Sequence, residues 1–169
     1  MAREPRAATD EAALVHGLLR ERGASLATAE SLTGGQLAAR LTAVPGASET
    51  YVGGVVTYAT ELKVGLLGVA RELVERHGVV SAECARAMAS GVLLLTGADF
   101  AIATTGVAGP GEQEGRPAGT VYVAVAGPGL VQVVALELSG ERADVQRRTC
   151  EEGLSALAEI LRQEETPLR

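Results

Sequence analysis

The sequence predicts a single α/β domain of three layers, α/β/α, with a mixed, mostly parallel sheet. Three observations carry that expectation. Short apolar strands alternate with amphipathic helices along the chain, which favours helices packed on both faces of a sheet. Gly127, Pro128 and Gly129 separate two Val-rich runs and read as a hairpin, which forces one antiparallel strand. No linker, repeat or composition shift divides the 169 residues, a length suited to one domain with a sizeable core. Apolar residues make up 47% of the chain but aromatics only 2%, with no Trp, so the core must be Ala, Val and Leu in close packing. The 21 glycines fall in clusters, as turns and ligand loops require.

The elements follow in order. Asp10 is placed to cap a first helix whose Ala13, Leu14, Leu18 and Leu19 share a face, with Gly23 as its stop. Residues 25–29 read as the first strand and 35–41 as the next helix. Pro45 and Gly46 make a turn, and 53–58 form a second strand ending at Tyr58. Thr60 opens a short helix that carries Lys63, and 71–77 form another. Ser81 caps a longer helix to Leu95. Residues 99–104 are a strand, 105–118 a Gly/Pro-rich loop, and 119–126 and 130–138 the hairpin strands. A last helix spans 141–163. The domain is placed at 10–163, with flexible tails at 1–9 and 164–169.

Composition narrows the function classes. A net charge of −6 argues against a nucleic-acid surface and leaves room for a small anionic ligand held by a few arginines. Cys84 and Cys150 are far apart, without CxxC spacing, and read as buried thiols. His16 and His77 lack metal-ligand spacing and read as surface residues on helices, so no metal site is expected. No apolar run is long enough to cross a membrane, and the charged N-terminus lacks a following apolar segment; the chain reads as cytoplasmic.

The chemistry centres on Ser31. It stands between a strand and the glycine-opened helix of T-A-E-S-L-T-G-G-Q (28–36). Free N–H groups around Thr33, Gly34 and Gly35 suit an anion or a developing oxyanion. The same position suits a helix-capping serine. A nucleophile needs a base, and no G-x-S-x-G elbow or triad histidine is evident. Lys63 is the chain's sole lysine, flanked by Leu62, Val64 and Leu66. A desolvated, neutral amine can accept a serine proton, although an ordinary solvated helix lysine fits the spacing equally. The Tyr58 phenol can relay a proton or orient the amine, or simply face the core. The stretch Thr104 to Gly111 follows a strand and lacks both the Walker and Rossmann glycine patterns; Thr105, Gly106, Gly109 and Gly111 are candidates for binding an anion through the backbone, and a surface loop that merely needs glycine turns fits the same pattern. Arg142 and Arg147, with Arg148, open the last helix and read as helix ion pairs, one of which could fold over the site to hold a phosphate.

Together A-E-S-L-T-G-G (29–35), V-P-G-A-S (44–48), G-G-V-V-T-Y-A-T-E-L-K (53–63), G-V-V-S (78–81), T-G-V-A-G-P (105–110) and R-P-A-G-T-V-Y (116–122) resemble the CinA C-terminal domain family over residues 10 to 162. That resemblance implies a nicotinamide-nucleotide amidase, converting nicotinamide mononucleotide to nicotinate mononucleotide and ammonia in pyridine nucleotide recycling. It implies Ser31 as nucleophile, Lys63 as general base and Tyr58 as its assistant. It further implies a homodimer with no metal requirement and no cofactor. Three positions depart from the pattern: Leu32 for a common Cys, Glu112 for a common Gly, and Arg116 for a frequent Lys. Two rival readings stay open, a non-catalytic module binding a nucleotide or partner protein, and an amidase for another primary amide.

Overall fold

The computed structural model describes residues 8–163. Its five strands are β1 (Leu26–Glu30), β2 (Tyr51–Val56), β3 (Phe100–Gly106), β4 (Thr120–Gly127) and β5 (Leu130–Glu137). Its helices are α1 (Ala8–Arg22), α2 (Gln36–Thr42), α3 (Thr60–Leu67), α4 (Arg71–His77), α5 (Ala82–Thr96) and α6 (Arg142–Gln163), with a 3-10 turn at Ala47–Glu49. The sheet order is β2-β1-β3-β4-β5. β1 runs parallel to both β2 and β3, whereas β4 is antiparallel to β3 and to β5. Only β4 therefore opposes the rest, as the hairpin requires.

The two faces of the sheet have different chemistry. One face presents Leu26, Phe100, Ile102, Val121, Val123 and Val125 to a core shared with α1, α2 and α6. The other presents Ala27, Ala29, Ala101, Ala103, Ala124 and Ala126 to α5 and its neighbours. A floor of alanine lets α5 lie close across the centre of the sheet. Gly91 carries the same logic one layer out, since a Cβ there would sit 2.0 Å from the Leu67 carbonyl oxygen of α3. The aromatic-poor composition thus becomes short inter-layer spacing.

Several boundaries shift from the sequence expectation. α1 starts at Ala8, so Asp10 lies inside the helix rather than capping it, and residues 8 and 9 belong to the domain rather than the tail. The remainder of both proposed tails lies outside the described residues. β2 begins two residues earlier than expected and ends at Val56, which leaves Tyr58 in the loop to α3. β3 continues through Thr105 and Gly106, because β4 pairs with it there. Ser81 does cap α5, its side chain accepting the Cys84 N–H. His16 is fully buried, not on the surface: its Nδ1 lies 2.5 Å from Thr50 Oγ1 and its Nε2 2.8 Å from the Leu41 carbonyl. Apolar neighbours alone cannot place a histidine; the two buried partners that satisfy it are 25 and 34 residues away.

Candidate active site

The C-terminal ends of the three parallel strands open into one crevice, where open α/β sheets generally bind ligands. Ser31 immediately follows β1 there. Its backbone N–H donates to the Thr104 carbonyl at 3.0 Å, extending the β1–β3 ladder one residue past the strand, and reaches Thr104 Oγ1 at 3.3 Å. Its carbonyl accepts the Gly34 N–H at 3.0 Å, which closes the turn. Gln146 of α6 donates to the Leu32 carbonyl at 2.9 Å. The serine is fixed by backbone bonds on both sides, which leaves its Oγ free to act.

Glu30 supplies the rest of that rigidity, and the sequence reading missed it. The carboxylate is buried and accepts the Thr33 hydroxyl at 2.7 Å and the N–H groups of Leu37 and Ala38 at 2.9 and 3.1 Å. The first N–H groups of α2 are therefore satisfied from inside the protein. Thr33 is fully buried, and Thr33, Gly34 and Gly35 do not line the cavity. Glu30→Ala removes three bonds at once and leaves buried donors unpaired, so it is expected to lower stability by about 2–3 kcal/mol, as a shifted urea midpoint.

Lys63 projects from the first turn of α3 into the crevice. It is 1% exposed. Its Nζ lies 3.0 Å from Ser31 Oγ, 2.6 Å from the Thr57 carbonyl and 3.3 Å from the Tyr58 carbonyl. Burial pushes the amine below the ordinary lysine value and outweighs Cys84 and the Glu114 carboxylate, which pull the other way. Cys84 lies beneath, a buried thiol pushed up to about 11 by desolvation. Cys150 is likewise free and buried. A hydroxyl within hydrogen-bond reach of a desolvated amine is the pairing that nucleophilic catalysis uses.

Tyr58 meets Lys63 through its backbone carbonyl. Its phenol stands at the rim, 59% exposed, and accepts a 2.9 Å bond from Arg142. The other arm of Arg142 donates to the Gly109 carbonyl at 2.7 Å, so the first residue of α6 joins the α3 entry to the glycine loop. Arg147, by contrast, bonds Glu151 at 3.0 Å and lies 3.5 Å from Asp144, and it takes no part in the cavity wall. The cavity, about 280 Å³, is lined by Ser31, Lys63, Tyr58 and Arg142 together with Thr105, Gly106, Gly109, Gly111 and Glu112.

Gly106 holds a particular place in this wall. The Thr104 carbonyl points toward β1 and the Val107 N–H toward β4, so strand alternation turns the Gly106 N–H to the β1 side, beyond the end of that strand. Glycine is needed there because a Cβ would lie 2.6 Å from the Thr120 carbonyl oxygen. Thr105 points to the opposite face, where its hydroxyl donates to the Val79 carbonyl at 2.6 Å. Among the described residues no group of three or more His, Cys, Asp or Glu side chains is arranged to hold a metal ion, and no helix is long and apolar enough to cross a membrane.

Comparison with known proteins places the chain. The family model of the CinA C-terminal domain matches residues 8–161. A CinA-like protein of Frankia casuarinae is 51% identical over 129 residues, covering 76% of this chain and 30% of that protein. A putative competence-damage inducible protein of Bacillus subtilis is 39% identical over 157 residues, covering 91% and 38%. The chain thus spans about a third of the length of these curated relatives. A CinA superfamily protein from Klebsiella pneumoniae superposes with a TM-score of 0.91 at 38% identity, covering 94% of this chain and 99% of the other. One from Enterobacter cloacae gives 0.92 at 30% identity, covering 95% and 96%. This chain belongs to the CinA C-terminal domain family.

Proposed function

We propose that the chain is an amide hydrolase that converts nicotinamide mononucleotide to nicotinate mononucleotide and ammonia through an acyl-enzyme on Ser31. The observation that carries this reading is the bonding of Lys63. A neutral amine has two N–H donors, and two carbonyls, Thr57 and Tyr58, stand ready for them. The lone pair then faces Ser31 Oγ, 3.0 Å away, as the acceptor of its proton. Burial favours the neutral form.

The steps balance without an external reagent other than water. Ser31 Oγ attacks the carboxamide carbon as its proton passes to Lys63 Nζ. The oxyanion meets the Gly106 N–H, a role of the kind worth about 3–4 kcal/mol of barrier. The C–N bond breaks, and Lys63 returns the proton to the leaving nitrogen as ammonia. Water, activated by the again neutral amine, hydrolyses the ester and restores Ser31. Arg142, Gly109 and Gly111 are assigned to the substrate phosphate, and Arg142 holds the Tyr58 phenol at the rim beside them. Glu112 lines the same wall, so it adds a negative charge near that anion.

An ammonia-release assay on nicotinamide mononucleotide, nicotinamide riboside and nicotinamide tests the reading. Release from the mononucleotide above the other two is expected. Binding of the mononucleotide without release would favour a non-catalytic module, and release only from another primary amide would change the substrate but keep the chemistry. A homodimer is proposed on exposed apolar side chains, Val52 and Val56 of the sheet-edge strand β2 and Leu62 and Leu66 of α3. Cytoplasmic residence fits the two free thiols and is part of the same proposal.

A further inference from the structure

We propose that Glu114 is a positioning residue: its carboxylate, seated on the backbone N–H groups of Val79 and Val80, holds the 107–119 loop in place as a wall of the substrate cavity. The proposal rests on the amide-hydrolase reading for its kinetic consequence, and on geometry for its physical one. Glu114 Oε1 accepts the Val80 N–H at 2.9 Å and the Val79 N–H at 3.0 Å, and Oε2 accepts the Val79 N–H again at 3.1 Å. These are charge-assisted bonds to two successive backbone donors. Val79 and Val80, just before α5, line the cavity, and so do Gly111 and Gln113 of the loop. The Glu114 side chain therefore ties two walls together.

Two local features serve this contact. Gln113 and Arg116 exchange backbone bonds of 3.0 and 2.8 Å, making a tight turn that presents Glu114. Within it Glu114 has φ +52, a left-handed conformation that an L residue adopts only when its surroundings over-determine it. On the receiving side, Gly78 has φ +75 and no Cβ, which leaves room for the Glu114 carboxylate beside it. The loop has a second tether at its other end, where Arg142 donates to the Gly109 carbonyl. Gly109 at that tether and Gly111 between the two form the backbone assigned to the phosphate. With Glu114 untied, substrate must order the loop as it binds, which weakens binding. Ser31 and Lys63 stand on other elements and keep their geometry.

Glu114→Ala and Glu114→Gln test this with two readouts on the whole chain. The first, independent of activity, is backbone amide hydrogen exchange at Val79 and Val80, expected to quicken by about tenfold or more in Glu114→Ala. The second is ammonia release from nicotinamide mononucleotide, where KM is expected to rise about tenfold with kcat within about threefold of wild type. Glu114→Gln keeps the shape and one acceptor oxygen, so it should fall between; it decides the matter if the alanine variant fails to fold. Unchanged exchange at Val79 and Val80 would overturn the tether. Faster exchange with an unchanged KM, or a loss confined to kcat, would overturn the positioning role. A wild-type chain that releases no ammonia from the mononucleotide overturns the amidase reading instead, and the exchange measurement still decides the tether.

Discussion

Ser31→Ala is expected to lose ammonia release from nicotinamide mononucleotide by about 10⁴-fold or more while the protein stays folded. The expectation separates cleanly because of how the serine is held. Its N–H and carbonyl do the structural work, bonding Thr104 and Gly34. Its Oγ bonds only the Lys63 amine among the described residues. Removing that oxygen leaves every backbone bond of the turn in place, together with the Glu30 bonds to Thr33, Leu37 and Ala38. A thermal melt close to wild type is expected. If the serine were a helix cap, the order would reverse, with stability falling and activity surviving. Ammonia release by the alanine variant at the wild-type rate would remove Ser31 from the mechanism.

Lys63→Met is expected to reduce turnover by about 10²–10⁴-fold, the range for loss of a general base. Methionine keeps the unbranched apolar stem inside the pocket, so activity and packing are not confounded. The pH dependence has a definite sign. The neutral amine is the base, so the wild-type rate rises with pH as Lys63 loses its proton. Because burial lowers its value below the ordinary 10.5, that rising limb lies at lower pH than a solvated lysine would give. Stability follows the same group. Between the lowered folded value and 10.5 the unfolded chain holds a proton that the folded chain lacks, so stability increases with pH across that window. Lys63→Met abolishes this slope and is expected to be no less stable than wild type at neutral pH. A rate flat through the wild-type limb would contradict a lysine base.

The fold was legible because its signals are local. Strand alternation, the hairpin glycines and the Ser81 cap each lie within a few residues of what they specify. The Ser31–Lys63 pair was legible for a different reason: a serine at a strand end and the chain's sole lysine left the bland readings open, and the resemblance to the CinA C-terminal domain family paired them. What escaped were the partners of three polar side chains, Glu30, His16 and Glu114. Glu30 reads as the polar end of a strand, and only the fold turns its carboxylate back onto α2. His16 reads as one polar residue on a helix, until Thr50 and Leu41 close over it. Nothing near Glu114 in sequence points to Val79, 35 residues earlier. Arg142 and Arg147 of α6 look alike as letters, yet five residues of helix send Arg147 to Glu151 and Arg142 to Tyr58 and Gly109.

Acyl transfer through Ser31 is tested most directly by quenching the wild-type protein in acid during turnover of nicotinamide mononucleotide and weighing its peptides. An added mass equal to substrate less ammonia is expected on the peptide that contains Ser31, and is expected to be absent in Ser31→Ala. The same mass on another residue would contradict it. So would a chain that stays unmodified while a burst of ammonia matching the protein concentration appears.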